Sequence, residues 1–167
     1  MKYDWSPEEL VQHFTLTRAE RDFLGSKGDG ASLSLAVLLK TFQFQGQFLE
    51  RPQAVPEAIV HALAQQLAVS PTLWTEVDWT SRTARRYRDE VAQFCGFRAF
   101  RSGDEERLIT HLAPLVADLH PDAESLKHQG EAFLREQRIV LPSAERLGRC
   151  LRTAVSEQEV RWIQGVA

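Results

Sequence analysis

Cysteine is scarce in this chain: of 167 residues only two are cysteine, Cys95 and Cys150. Neither stands in a CxxC or other metal-ligand spacing, so a disulfide framework and a zinc ribbon are excluded as the basis of the fold. Cys95 lies in the apolar stretch Phe94-Cys95-Gly96-Phe97 and reads as a packed free thiol. Long hydrophobic runs are also missing. The longest, Leu33 to Leu39, is interrupted by Ser34 and stops at Lys40, far short of the roughly 20 residues a membrane span needs. No signal peptide opens the chain, because Met1-Lys2-Tyr3-Asp4-Trp5 leads into Pro7-Glu8-Glu9-Leu10. The expectation is a bacterial cytoplasmic protein with no membrane partner.

Catalytic signatures are lacking as well. The five histidines, His13, His61, His111, His120 and His128, form no HExxH and flank no nucleophile motif. Gly25-Ser26-Lys27-Gly28-Asp29-Gly30 is glycine-rich but lacks the Walker spacing and its Lys-Ser/Thr ending. Carboxylates are plentiful yet gather at predicted helix starts, where the helix dipole accounts for them. The reading is therefore a non-enzymatic chain with no cofactor and no metal site.

What is present is an ordinary globular composition, 43% hydrophobic and 26% charged, in a chain long enough to bury roughly 70% of its unfolded surface. Helix starts are dense. Ser6-Pro7-Glu8-Glu9, Thr17-Arg18-Ala19-Glu20, Ser102-Gly103-Asp104-Glu105 and Ser156-Glu157-Gln158-Glu159 each have the form of a capping box. Pro56 and Pro71 suit the first turns of two more helices. Apolar residues recur between these starts at helical spacing. Leu33, Ala36, Val37 and Lys40 lead to Phe44, and Ile59, Leu63 and Leu67 follow Pro56. Leu108, Leu112, Leu115, Val116 and Leu119 follow Ser102, and Leu147 with Leu151 come after Pro142. Arg138-Ile139-Val140-Leu141 is the best strand candidate and reads equally well as a linker. The pattern predicts an all-α fold of about nine or ten short helices. A boundary near Gly96 to Gly103 would give two helical subdomains, residues 1–96 and 102–167.

Net charge is −3, but its distribution is uneven. Residues 1–81 carry six basic and ten acidic side chains, and residues 102–167 carry eight and eleven. Between them, residues 82–101 hold six arginines against Asp89 and Glu90. Ser81 or Thr80 would cap a helix through this island that ends at Gly96. On that helix Arg82, Arg85, Arg86 and Asp89 share one side, Tyr87, Val91 and Phe94 another, and Ala84 and Arg88 fall between. Guanidinium groups at a helix start suit phosphate oxygens and guanine edges. A solvated face with internal ion pairs to Asp89 and Glu90 is the plainer alternative. Sixteen arginines against four lysines tilt the balance towards phosphate recognition. A later series, Arg146, Arg149 and Arg152, recurs at three-residue spacing. Arg146 and Arg149, with Lys40 at the end of its apolar run, form a secondary DNA-binding set.

Several phrases together resemble the N-terminal region of the Tn-three-type replicative transposases. They are Leu35 to Gln43 with Gly46 and Phe48, Val55 to Val60, Ala64-Gln65-Gln66-Leu67, Asp78-Trp79 with Arg82-Thr83 and Arg88, and Gly96-Phe97-Arg98. Arg135 to Ile139, Pro142 and Arg146-Leu147 resemble the close of that region. The likeness runs from about Ser6 to Ala154, with the motifs in order. The family commonly has a basic residue and a glycine around Leu33, where this chain has Ser32 and Ser34. The resemblance implies helix-turn-helix-like packing and recognition of transposon terminal inverted repeats, hence double-stranded DNA as partner. It also implies DNA roles for Arg82, Arg88 and Arg98, with Arg85 and Arg86 joining them on local grounds. The RNase H-like domain that performs metal-dependent strand transfer in that family is not contained in these residues. The remaining transposase domains would then be partners. A protein-interaction or dimerisation module, with Trp5, Trp74, Trp79 and Trp162 as anchors, is the competing reading.

Overall fold

The capping boxes at Ser6 and Thr17 are both formed in the computed structural model, which describes residues 1–165. At each, the cap hydroxyl accepts the glutamate's backbone N–H, and the carboxylate accepts the cap's own N–H in return. These boxes start α1 (Pro7–Phe14) and α2 (Arg18–Leu24). Six further α-helices follow: α3 (Asp29–Gln45), α4 (Glu57–Leu67), α5 (Arg82–Phe94), α6 (Ser102–Leu119), α7 (Ala123–Glu136) and α8 (Ala144–Ile163). Single 3-10 turns occupy Pro52–Ala54 and Pro71–Trp74. The fold is all-α, with eight α-helices and two such turns among the described residues in place of nine or ten helices. Pro71 starts only a turn. Arg138 to Leu141 forms no strand, contributing a single parallel bridge between Ile139 and Arg98.

The chain divides into two compact units, one of residues Met1–Cys95 and one from Gly96 onward. In the first unit α3 is the central helix. Every residue from Ser32 to Phe42 is buried, which is the signature of a helix surrounded on all sides rather than packed along one stripe. That corrects the one-faced pattern expected from Leu33 to Phe44. Phe44 is partly exposed, because the last turn of α3 leaves the core before Gly46 closes the helix at φ 72°. Helices α2, α4 and α5 pack on α3, with Phe14, Leu24, Ile59, Leu63, Trp74 and Val91 filling the spaces.

The second unit packs α6, α7 and α8 around Leu108, Leu112, Leu126, Leu134, Ile139 and Leu147, with Cys150 in the same core. Two helix starts differ from expectation. Helix α6 begins one residue early, with Arg101 at its cap position: Asp104 reaches back to accept the Arg101 N–H at 2.8 Å, leaving Ser102 inside the first turn. Ser156 starts nothing, since α8 runs unbroken from Ala144 to Ile163. No proline or turn glycine stands between Arg149 and Ser156, so the chain has no reason to leave the helix there. No helix among the described residues is long and apolar enough to cross a membrane.

Candidate nucleic-acid interface

The entry to α5 is built by three consecutive local devices. The Asp78 carboxylate accepts both the backbone N–H and the hydroxyl of Thr80, at 2.9 and 2.6 Å, which holds its pKa below the usual aspartate value. Trp79 is buried against Trp74, with ring centroids 4.5 Å apart. Ser81 then caps the helix by accepting the Ala84 N–H at 3.1 Å. Turn, anchor and cap fix where α5 begins and which side of it faces α3. The buried side is Ala84, Val91 and Ala92, with Tyr87 and Arg88 half-buried at its margin. Arg82, Arg85, Arg86 and Asp89 lie on the exposed side. Phe94, on the side of Tyr87 and Val91, is partly exposed and stacks on Phe23 of α2, with centroids 4.5 Å apart. Helix α5 is held to the unit by a further contact, the 2.7 Å pair between Lys27 and Glu90.

The expected DNA-binding arginines separate by what neutralises them. Arg86 is paired with Glu90 at 3.5 Å, one turn along the same helix, and lies near the Tyr87 ring. Arg82, Arg85 and Arg88 make no ion pair among the described residues. Arg88 is half-buried, and its pKa is pushed down by that burial and then by the neighbouring Arg85 charge. Helix α5 also carries no acid in its first turn, whereas each of the other seven α-helices carries at least one. The outcome is a set of three guanidinium charges on the N-terminal half of one helix, none of them in an ion pair among the described residues.

Other expected residues are committed elsewhere. Arg98 belongs to the second unit and forms a bidentate pair with Asp104, both contacts at 2.7 Å. Asp104 is only 3% exposed. The Arg98 hydrogen bonds, opposed by burial and helped by the Arg101 N–H and the Arg107 charge, hold its pKa at about 2. Arg146 is likewise engaged, its Nε donating to Glu105 at 2.6 Å and its guanidinium lying 4.8 Å from the Phe100 ring centre. Arg149 and Arg152 are exposed on α8.

Lys40 does not end its helix, which continues to Gln45, and it is 7% exposed. Its Nζ lies 3.3 Å from both oxygens of Glu20, in the first unit's core. Enclosed in this way it has no surface to offer a duplex, and its role is to neutralise a buried carboxylate. Ser32 is buried too, its hydroxyl donating to the Leu24 and Lys27 carbonyls. Of the four tryptophans, Trp74 and Trp79 are core residues and Trp5 is half-buried among Phe14, Phe44 and His13. Trp162 is 84% exposed.

Asp104 escaped the sequence reading although it stands third in the expected Ser102 box. Its partner Arg98 precedes the helix, so helical periodicity gives no hint of the pairing. Among the described residues no three His, Cys, Asp or Glu side chains are grouped to hold a metal ion.

Over 141 residues, 84% of this chain, the sequence is 22% identical to the transposase for transposon Tn1546 of Enterococcus faecium. The match takes in 14% of that protein, so the chain spans a small part of the curated relative's length. A single family profile matches residues 1–154, covering the first unit and most of the second, and the chain therefore belongs to the family described as domain of unknown function DUF4158.

Proposed function

We propose that this chain is a non-catalytic part of a transposase that binds duplex DNA and recognises transposon terminal inverted repeats. The observation that carries the reading is the unbalanced set Arg82, Arg85 and Arg88 on the first two turns of α5. A half-buried guanidinium beside a second one is electrostatically unfavourable until an anion arrives. A phosphate at this helix start would receive both the arginines and the dipole of α5. In this reading α5, seated on α3, acts as the recognition helix of a helix-turn-helix-like unit. Arg82 and Arg85 contact the backbone or guanine edges, and Arg88 buttresses them. Arg86 and Arg149 are secondary contacts. Strand transfer belongs to other domains of the transposase, and in the cell the chain is cytoplasmic and associates with the nucleoid through DNA.

The test is a fluorescence-anisotropy titration of a labelled terminal-repeat duplex and a scrambled one over a salt series. Binding should fall steeply with salt, because each neutralised phosphate releases counterions. The repeat should be preferred by on the order of 10³ if the chain carries the full specificity. Arg82→Ala/Arg85→Ala, at two exposed positions, should weaken binding and flatten the salt dependence. Folded protein that ignores both duplexes at low salt would overturn the proposal.

A second reading is supported by the far end of α8. Trp162 and Ile163 are 84% and 77% exposed, and Val160 is also open. A protein-interaction surface there predicts self-association without DNA, read by light scattering and abolished in Trp162→Ser.

A further inference from the structure

Ala68, His120 and Arg138 are the non-glycine residues with positive φ among those described. The first two are left-handed caps that end α4 and α6. Arg138 stands one residue beyond the cap of α7, at φ 56°. Its N–H donates to the Arg135 carbonyl, and the next N–H, of Ile139, donates to the Leu134 carbonyl at 2.9 Å. This is the position after a helix where glycine is strongly favoured, because a Cβ there meets steric resistance. The Arg138 carbonyl also accepts the Arg98 N–H at 3.0 Å, completing the bridge to that strand-like segment. Every one of these contacts is made by backbone, and glycine would make them without strain.

The side chain must therefore be read by what it does. The Arg138 guanidinium lies over the Phe97 ring, 5.2 Å from its centre, in an exposed position. It makes no ion pair among the described residues. Arg107 stands beside it, sharing Asp104 with Arg98 and donating to the Gln137 side-chain oxygen at 2.8 Å. Arg101, at the cap of α6, is exposed and unpaired. Arg98 and Arg107 thus share one buried carboxylate, which also accepts the Arg101 backbone N–H. Glu106 and Glu136, on adjoining turns, are exposed and make no ion pair with any of them. Stacking on an aromatic face holds a guanidinium in one orientation while leaving its N–H fork free.

We propose that Arg138 is a phosphate contact of the second unit, its guanidinium held over Phe97 to bind a backbone phosphodiester of nucleic acid, with Arg107, bonded to the adjoining Gln137, close by. The inference rests on the DNA-binding reading above and adds a contact on a different unit from α5. It gives strength without sequence preference, since phosphate contacts carry no base information.

The experiment uses the full chain with a labelled random-sequence duplex, measured by anisotropy across a salt series, together with thermal melts followed by circular dichroism. Arg138→Gly and Arg138→Asn both suit the left-handed backbone and both remove the charge, whereas Arg138→Lys keeps it. The Gly variant should melt at the same temperature or higher, while both neutral variants bind several-fold more weakly. Their plots of log affinity against log salt should be shallower by about 0.9, the share of one phosphate. Arg138→Lys should keep the parental slope. Parental affinity and slope in both neutral variants would overturn the inference and leave Arg138 as a helix end only. Loss of binding that follows a collapse in melting temperature for both would overturn it as well. If Arg82→Ala/Arg85→Ala weakens binding and the Arg138 variants do not, this inference falls alone. If the parent ignores duplex DNA, both proposals fall together.

Discussion

Replacing Asp104 by asparagine should remove a charge-dependent stabilisation of the second unit. The carboxylate is buried, takes two 2.7 Å hydrogen bonds from Arg98, and accepts the Arg101 N–H that α6 leaves open at its start. Its pKa falls from the ordinary 3.8 to about 2. A shift of nearly two units corresponds to ~2.5 kcal/mol of preference for the folded state. Because the folded pKa is the lower one, this stabilisation is fully present above the unfolded value and is lost as pH falls towards 2. Asp104→Asn should thus lower the unit's stability by ~2–3 kcal/mol at pH ~7, moving its melting temperature by ~10–20 °C for a domain of this size. Urea and thermal denaturation followed by far-ultraviolet circular dichroism at neutral pH and near pH ~2 would measure both effects. Tryptophan emission would serve poorly, since Trp162 is exposed and is the one tryptophan of this unit. Near pH ~2 the parent and variant should come within ~0.5 kcal/mol of each other, because the parent carboxylate is then about half protonated when folded and almost wholly protonated when unfolded. A loss of the same size at both pH values would refute the reasoning, placing the effect in shape and capping instead of charge.

Arg98→Ala removes the other half of that pair and should also destabilise the second unit by ~2–4 kcal/mol in urea titration. Any duplex binding of the folded protein should keep its parental salt dependence, because Arg98 spends its donors internally. In the first unit, Lys40→Ala leaves Glu20 buried without its cation. The stability lost should be ~3–5 kcal/mol, measured by the midpoint of the first unit's unfolding. The two serines expected to cap arginine-bearing helices, Ser81 and Ser156, should behave differently. Ser81→Ala should lower stability by ~1 kcal/mol because Ser81 is a true cap, whereas Ser156→Ala, inside α8, should change it by no more than ~0.5 kcal/mol. Denaturant midpoints of the two variants side by side decide this.

The helices were legible where a local signal was enough. Ser6 and Thr17 made their capping boxes because all the partners lie within four residues, and Gly46 and Gly96 ended helices because each takes a positive φ. What sequence missed required knowing what surrounds an element. The run from Ser32 to Phe42 looked like one face of a helix because periodicity cannot report that neighbours approach from every side. Ser156 looked like a helix start because the four-residue pattern does not say whether the chain turns before it. Phe94 shared its register with Tyr87 and Val91, yet α5 is rotated so that Ala84, Val91 and Ala92 meet α3, leaving Phe94 to stack on Phe23.

The arginines show the same limit and its consequence for function. Sequence counts charges, but what an arginine can offer DNA is the charge left after its acidic partners are satisfied. A partner can be far away in the chain, as Glu105 is, 41 residues before Arg146, or lie just off the helix pattern, as Asp104 does for Arg98. Arg98 reaches Asp104 across the non-helical residues 99–101 that precede α6. Removing the paired residues reduces the Arg-rich island of residues 82–101 to Arg82, Arg85, Arg88 and Arg101, three of them on one helix. A solvated helix face would scatter its leftover charge. Here it remains together on the half of α5 where the helix dipole is also positive, so the helix favours an anion at that end whatever the order of bases carrying it. In the proposed complex, sequence preference would come from Arg82 or Arg85 reaching a base edge, and the repeat-against-scrambled comparison in their alanine variants tests that contact.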